Sequence, residues 1–184
     1  MARSVLILSA SPLNAGRVRV DAEYRDIKEK LQLIRRPKMK IDISFEPAVR
    51  PGDLLTHLLN AEAEILHFSG HASKHGLILE DSLGNSQLVD EQAIANFVRQ
   101  TKGVTECVVL NACFTRDLAQ NVADHISVVI GCDSTIDDDD AILFSRAFYQ
   151  SLAAGKSYKE SFHLAIADVE LNGYASAAKY HILP

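Results

Sequence analysis

The sequence predicts an α/β layered domain, and two observations carry that expectation. Short apolar runs rich in β-branched residues, such as Val5 to Leu8 and Cys107 to Leu110, alternate with longer stretches of helical period. The chain has 184 residues, 47% of them hydrophobic, which suits one compact domain over 1–184; no internal repeat, low-complexity tract or long linker divides it.

The first strand is Val5 to Leu8, closing in the turn-rich segment SASPLNAG with Pro12, Asn14 and Gly16. From Ala22 to Arg36 the residues Ile27, Leu31 and Ile34 fall on one helical face, and Pro37 stops the helix. Ile41 to Phe45 alternates as a strand. Pro51, whose fixed φ suits a first helical turn, opens a helix through Leu54, Leu55, Leu58 and Leu59. Ile65 to Phe68 is the next strand. Gly76 to Glu80, followed by the Ser82 to Gly84 turn, forms a small hairpin arm, and Asp90 caps a helix to Arg99.

The central strand Cys107 to Leu110 precedes a helix near Asp117 to Asp124 and a buried strand from Ile126 to Ile130. After the acidic run Asp137 to Asp140, Ala141 to Ala153 is helical and ends at Gly155. Ser157 and Glu160 make a capping box for the last helix, which buries Phe162, Ile166 and Val169. Lys179 to Leu183 is an edge strand.

Composition excludes several functions. A net charge of -5 without a dense basic tract gives no electrostatic basis for nucleic-acid binding. No window approaches the roughly 18 apolar residues of a membrane span, and Val5 to Leu8 is too short for a signal-peptide core. Cys107, Cys113 and Cys132 lack the paired spacings of a zinc site or disulfide framework, so a reducing, cytoplasmic setting is expected.

Chemistry concentrates in two segments where a strand runs into polar, reactive residues: ILHFSGHASKHG (Ile65 to Gly76) and VVLNACFTRD (Val108 to Asp117). If the two strands are neighbours, a loop-borne His71 meets Cys113, and a base within reach of a thiol raises its thiolate fraction. A lone cysteine after a buried strand is otherwise an inert small hydrophobe, which is the reading for Cys107 and Cys132. His67, His71 and His75 share a four-residue spacing, but Gly70 interrupts it and no acidic or Cys ligand matches, so no metal is expected. His67 is expected inside the sheet with a hydrogen-bond partner. Asp137 to Asp140 suits a helix N-terminus better than a calcium loop.

These residues resemble the CHAT domain, a bacterial member of the caspase-like cysteine peptidase clan. The resemblance rests on HFSGH at His67 to His71, GLILED at Gly76 to Asp81 and VVLNAC at Val108 to Cys113. VVIG at Val128 to Gly131 and the pattern Ala141, Phe144, Phe148, Tyr149, Leu152 and Gly155 support it. His71 stands 42 residues before Cys113, comparable with the roughly 50 of the caspase signature.

The resemblance implies a caspase-like fold, a mainly parallel six-stranded sheet sandwiched between helices. It also implies an endopeptidase without cofactors: Cys113 as nucleophile, His71 as general base and then acid, and the backbone N–H groups of Ala72 and Cys113 as oxyanion hole. Asn111, two residues before the nucleophile, would help form the pocket for the P1 side chain, with Asp133 near the cleft. The substrate would be a partner protein, in a bacterial conflict or programmed-death pathway. Relatives are often fused to companion domains, so an adaptor or regulator would be supplied in trans, or the chain is an excised domain.

The sequence departs from the family at Ala72, where many relatives have Gly, and at Phe114 and Thr115, where a Gly is often nearby. Asn111 replaces the Asp of relatives that cleave after Arg or Lys. Ala72 and the glycine-poor loop after Cys113 favour an alternative, a catalytically silent CHAT interaction module. A third reading, a flavodoxin-like nucleotide or flavin binder, rests on SASPLNAG alone.

Overall fold

The computed structural model describes residues 2–184. Its elements run β1 (Ala2–Ala10), α1 (Val20–Gln32), β2 (Lys40–Glu46), α2 (Leu54–Ala61), β3 (Ile65–Ser73), β4 (Gly76–Glu80), β5 (Ser86–Asp90), α3 (Glu91–Arg99), β6 (Cys107–Asn111), α4 (Arg116–Ala123), β7 (Val128–Cys132), α5 (Asp138–Ala153), α6 (Tyr158–Leu171) and β8 (Tyr180–Leu183). Strand order in the main sheet is β2-β1-β3-β6-β7-β8. Every pairing along it is parallel except β7 with β8. β4 and β5 form an antiparallel arm on the far end of β3. The expected α/β architecture of six mainly parallel strands between helices is thus observed, with this arm added.

Each central strand buries both faces. In β1, Leu6 and Leu8 pack with Leu54, Val98 and Leu118 on one side of the sheet, while Val5 and Ile7 pack with Ile27, Phe144 and Val169 on the other. Continuous apolar runs are what such strands need. From β1 the chain goes outward to β2 and then returns to the opposite side as β3, so the order reverses between β1 and β3. That reversal leaves a crevice at the carboxyl ends of these strands, where open α/β sheets place their sites.

Local chemistry sets most element boundaries. Asp90 accepts from the Gln92 N–H at 2.8 Å to start α3, and Ser157 and Glu160 cap α6 reciprocally. The acidic run provides the cap position and first turn of α5.

Among the boundaries that differ from expectation, three have a local cause in the structure. Helix α1 ends at Gln32 instead of Arg36, because the N–H groups of Leu33 and Ile34 turn tightly onto Lys30 and Leu31 and Pro37 disfavours helix before it. Ile126 is buried but its N–H closes the end of α4 on Val122, so β7 starts later, at Val128. Strand β3 runs on to Ser73, because β4 supplies an antiparallel partner; His71 is therefore a strand residue paired with Ile78, not a loop residue.

Candidate active site

Ser69 of β3 and Asn111 of β6 are register partners on adjacent parallel strands, the last pair of that ladder. His71 and Cys113 each lie two residues further on, so the two sequence motifs leave the ladder side by side at the carboxyl end of the sheet. Gly70 makes this possible on the other side of β3. It has φ of +150°, and a Cβ there would overlap the carbonyl oxygen of Ala10 in β1.

His71 is oriented by a backbone group. Its Nε2 is hydrogen-bonded to the carbonyl oxygen of Gly16. A carbonyl only accepts, so Nε2 carries the proton and Nδ1 is the basic nitrogen. Gly16 sits in the 11–19 loop after β1, which is tied on both flanks. On the arm side, Leu13 N–H donates to the Gly84 carbonyl at 2.8 Å, and Asn14 Oδ1 accepts from the Ser86 N–H and hydroxyl at 2.7 Å each. On the other side, the Arg19 N–H donates to Asp138 at 3.1 Å and its guanidinium to Asp139 at 2.8 Å. SASPLNAG is therefore part of a strap over the site, and the N-terminus of α1, where a phosphate would bind, is already met by an Asp138 carboxylate.

Cys113 is half-buried in the loop after β6. Its Sγ accepts from the Ile136 N–H at 3.5 Å. Phe114 takes the left-handed backbone conformation, φ +55°, that a glycine adopts without cost, and its N–H donates to Ser134 at 3.4 Å. Thr115 holds the turn from beneath: its buried hydroxyl contacts the Leu110 and Ala112 carbonyls and accepts from the Cys132 N–H at 2.9 Å. The glycine-poor sequence is thus accommodated by one strained residue and one clamp. Ala72, expected at the oxyanion site, lies in the β3 extension opposite Leu77.

Beneath both residues lies a polar cluster that the sequence reading missed. Glu23 of α1 is 4% exposed. Its carboxylate accepts from the Ser69 hydroxyl, from Asn111 Nδ2 at 2.7 Å and from the Ser145 hydroxyl at 2.5 Å. His67 Nε2 is 3.2 Å from the same carboxylate without hydrogen-bond alignment, while His67 Nδ1 meets the Tyr149 hydroxyl at 2.9 Å. Burial opposes the Glu23 charge, but the facing His67 and the hydrogen bonds from Ser145 and Ser69 outweigh it and hold the carboxyl below its ordinary range. The signal was present: Glu23 falls four residues before Ile27, on the apolar stripe of its helix.

Asn111 belongs to this cluster. It is 3% exposed; Nδ2 also reaches the Ala141 carbonyl and Ser145, and Oδ1 accepts from the Tyr180 hydroxyl at 3.0 Å. The amide expected to help form a P1 pocket therefore points inward and is engaged by these partners. Asp133 is more open. It borders a cavity of about 530 Å³ shared with Lys74, Phe114, Arg116 and Ser134, and His181 at 2.9 Å holds its carboxyl below the usual range.

The other two cysteines are fully buried, as expected. Burial raises the Cys107 thiol and pushes Cys132 up to about 11. The three histidines part company: His67 is sealed in the core, His71 is engaged by Gly16, and His75 is exposed in the β3–β4 turn. Among the described residues, no three His, Cys, Asp or Glu side chains are grouped to hold a metal. Among the described residues, no helix is long and apolar enough to cross a membrane.

The family model for the CHAT domain matches residues 5–172. This chain belongs to the CHAT domain family. The CHAT domain here is 23% identical, over 97% of its length, to a Roc-COR-CHAT protease of an unknown prokaryotic organism. It is 27% identical, over 92%, to a probable protease of Gillisia limnaea. It spans only 18% and 31% of those relatives.

The fold is that of the caspase-like proteases. A secreted C11 cysteine protease from Bacteroides thetaiotaomicron, in complex with an irreversible peptide inhibitor, superposes with a TM-score of 0.66 at 8% identity, over 99% of this chain and 66% of that one. Caspase-1 from Spodoptera frugiperda gives 0.59 at 9% identity, over 98% and 85%.

Proposed function

We propose that this CHAT domain is a caspase-like cysteine endopeptidase acting on a partner protein. The observation that carries the reading is the Ser69–Asn111 register pair of adjacent strands, from which His71 and Cys113 each lie two residues further along the chain, with His71 engaged by the Gly16 carbonyl.

In this reading His71 Nδ1 takes the thiol proton and Cys113 Sγ attacks the scissile carbonyl carbon. The carbonyl oxygen becomes an oxyanion that the backbone N–H groups of Ala72 and Cys113 stabilise. Collapse breaks the C–N bond, and the proton on Nδ1 leaves with the amine. A water, deprotonated by Nδ1, then attacks the thioester, and the thiolate departs with that proton returned to sulfur. Nε2 keeps its proton throughout, and the Gly16 carbonyl steadies the transient imidazolium.

Asp133 and the adjoining cavity would take a substrate side chain. A partner supplied in trans would bring the substrate and switch the domain on, in a bacterial conflict or programmed-death setting. The test is a peptide-library screen of wild type against Cys113→Ala, with and without an added partner fraction. Cleavage by wild type alone and none by Cys113→Ala supports the reading. Cleavage that survives in Cys113→Ala removes it.

The left-handed Phe114 favours one other reading, a silent interaction module that keeps the fold. Its mark would be a wild-type Cys113 no more reactive towards an alkylating agent than that of His71→Ala.

A further inference from the structure

We propose that Glu23 is a positioning residue for the dyad: its buried carboxylate ties Ser69 to Asn111 at the last rung of the β3–β6 ladder and so sets the spacing of His71 and Cys113. The inference rests on the peptidase reading above.

Up to Ser69 and Asn111 the two strands are held by backbone hydrogen bonds. Beyond them β3 turns to β4 for its partner and β6 ends, so no ladder fixes His71 against Cys113. Glu23 reaches across at that rung. It accepts from Ser69, two residues before His71, and from Asn111, two residues before Cys113. Ser145 of α5 and the facing His67 hold the carboxylate in turn.

Ser69 and His71 are two apart in β3 and share a face, while Asn111 is the last residue of β6 before the loop that carries Cys113, so a shift at this rung is passed to both reactive residues. The same chain segment grips β3 a second time, where Gly16, seven residues before Glu23, engages His71. A buried carboxylate is an expensive way to stabilise a core that apolar side chains would also fill. What it adds is several directed hydrogen bonds converging from three elements onto one group.

The test uses Glu23→Gln, Asn111→Asp and the double variant, which exchanges amide and carboxylate while keeping a hydrogen bond between the positions. With a peptide substrate from the library screen, Glu23→Gln should lower kcat about 10- to 100-fold while KM changes by less than about threefold, and the double variant should recover much of that loss. In parallel, the rate of Cys113 alkylation by iodoacetamide reads the dyad without a substrate. It should fall in Glu23→Gln towards the His71→Ala rate.

A folded Glu23→Gln with wild-type kcat and alkylation rate, and only a lower melting temperature, overturns the positioning role alone. A wild type that alkylates no faster than His71→Ala overturns the dyad, and with it this proposal. Should Glu23→Gln not fold, Ser69→Ala removes only the link towards His71 and should show the same split between kcat and KM; an unchanged kcat there overturns the role as well.

Discussion

The Gly16 carbonyl and His71 Nε2 are joined by a hydrogen bond across 55 residues of sequence. The base of the candidate site is thus oriented by a loop from another strand, and the loop stays in place through polar contacts on its two flanks. Asn14 and Arg19 bond to Ser86, Asp138 and Asp139 and not to His71 or Cys113, yet both should matter. The double variant Asn14→Ala and Arg19→Ala should lose only about 1 kcal/mol of stability, since exposed contacts of this kind are individually weak. Its kcat should fall by roughly tenfold, as a base free to rotate leaves its productive geometry. Urea unfolding and steady-state kinetics on one preparation separate the two effects; equal kcat in variant and wild type would deny the strap its role.

Thiol chemistry should be selective. Cys113 is half-buried, whereas Cys107 and Cys132 are sealed in the core with thiols shifted upward by burial, Cys132 to about 11. Brief treatment of folded protein with iodoacetamide at neutral pH should therefore add one label, on Cys113, by peptide mass mapping. In denaturant all three should react. Labelling of Cys132 in the folded state would contradict the burial that the structure assigns to it.

Much of this was legible in sequence because it depends on local rules. The apolar runs became strands, and the Ser157–Glu160 spacing became a reciprocal cap. The neighbouring of the two motif-bearing strands was an assumption open to the sequence, and the β3–β6 ladder meets it. The rest depends on tertiary partners. Nothing in residues 69–73 announces that β3 continues; β4 does that by pairing with it. Gly16 acts through a carbonyl that every residue has, so no side chain marks it. The resemblance implies a pocket-lining Asn111, and the partners that hold its amide inward, Glu23 among them 88 residues earlier, are distant in sequence.

Gly70 is a position where a methyl group should be costly. Its φ of +150° is strained for any other residue, and the Ala10 carbonyl fills the space a Cβ would need. Gly70→Ala should destabilise by about 2 kcal/mol or more, through backbone strain and forced separation of β1 from β3. Gly16→Ala is the control: nothing lies within 4 Å of a Cβ there, and stability should stay within about 0.5 kcal/mol. Comparison of urea midpoints decides it, and a tolerated Gly70→Ala would mean that β1 and β3 do not approach so closely.

Acid should weaken the cluster beneath the site in a defined direction. The folded Glu23 carboxyl is held below its unfolded value, which is about 4.3, chiefly because His67, Ser145 and Ser69 outweigh the opposing burial. A group depressed in the folded state stabilises above its unfolded pKa, and that contribution disappears as pH falls through the folded value. Other carboxylates with lowered values, Asp53, Asp81, Asp133 and Glu160 among them, add to the acid sensitivity of both proteins alike. The informative quantity is therefore the difference between wild type and Glu23→Gln. Near neutral pH the variant should be less stable by about 2 kcal/mol, since the Ser69, Asn111 and Ser145 donors that converge on the carboxylate lose a charged acceptor. From about pH 5 downwards the two unfolding free energies should converge, because wild type protonates the group that the variant lacks. A gap that stays constant from pH 7 to the acid transition would mean that the Glu23 charge does not stabilise the cluster.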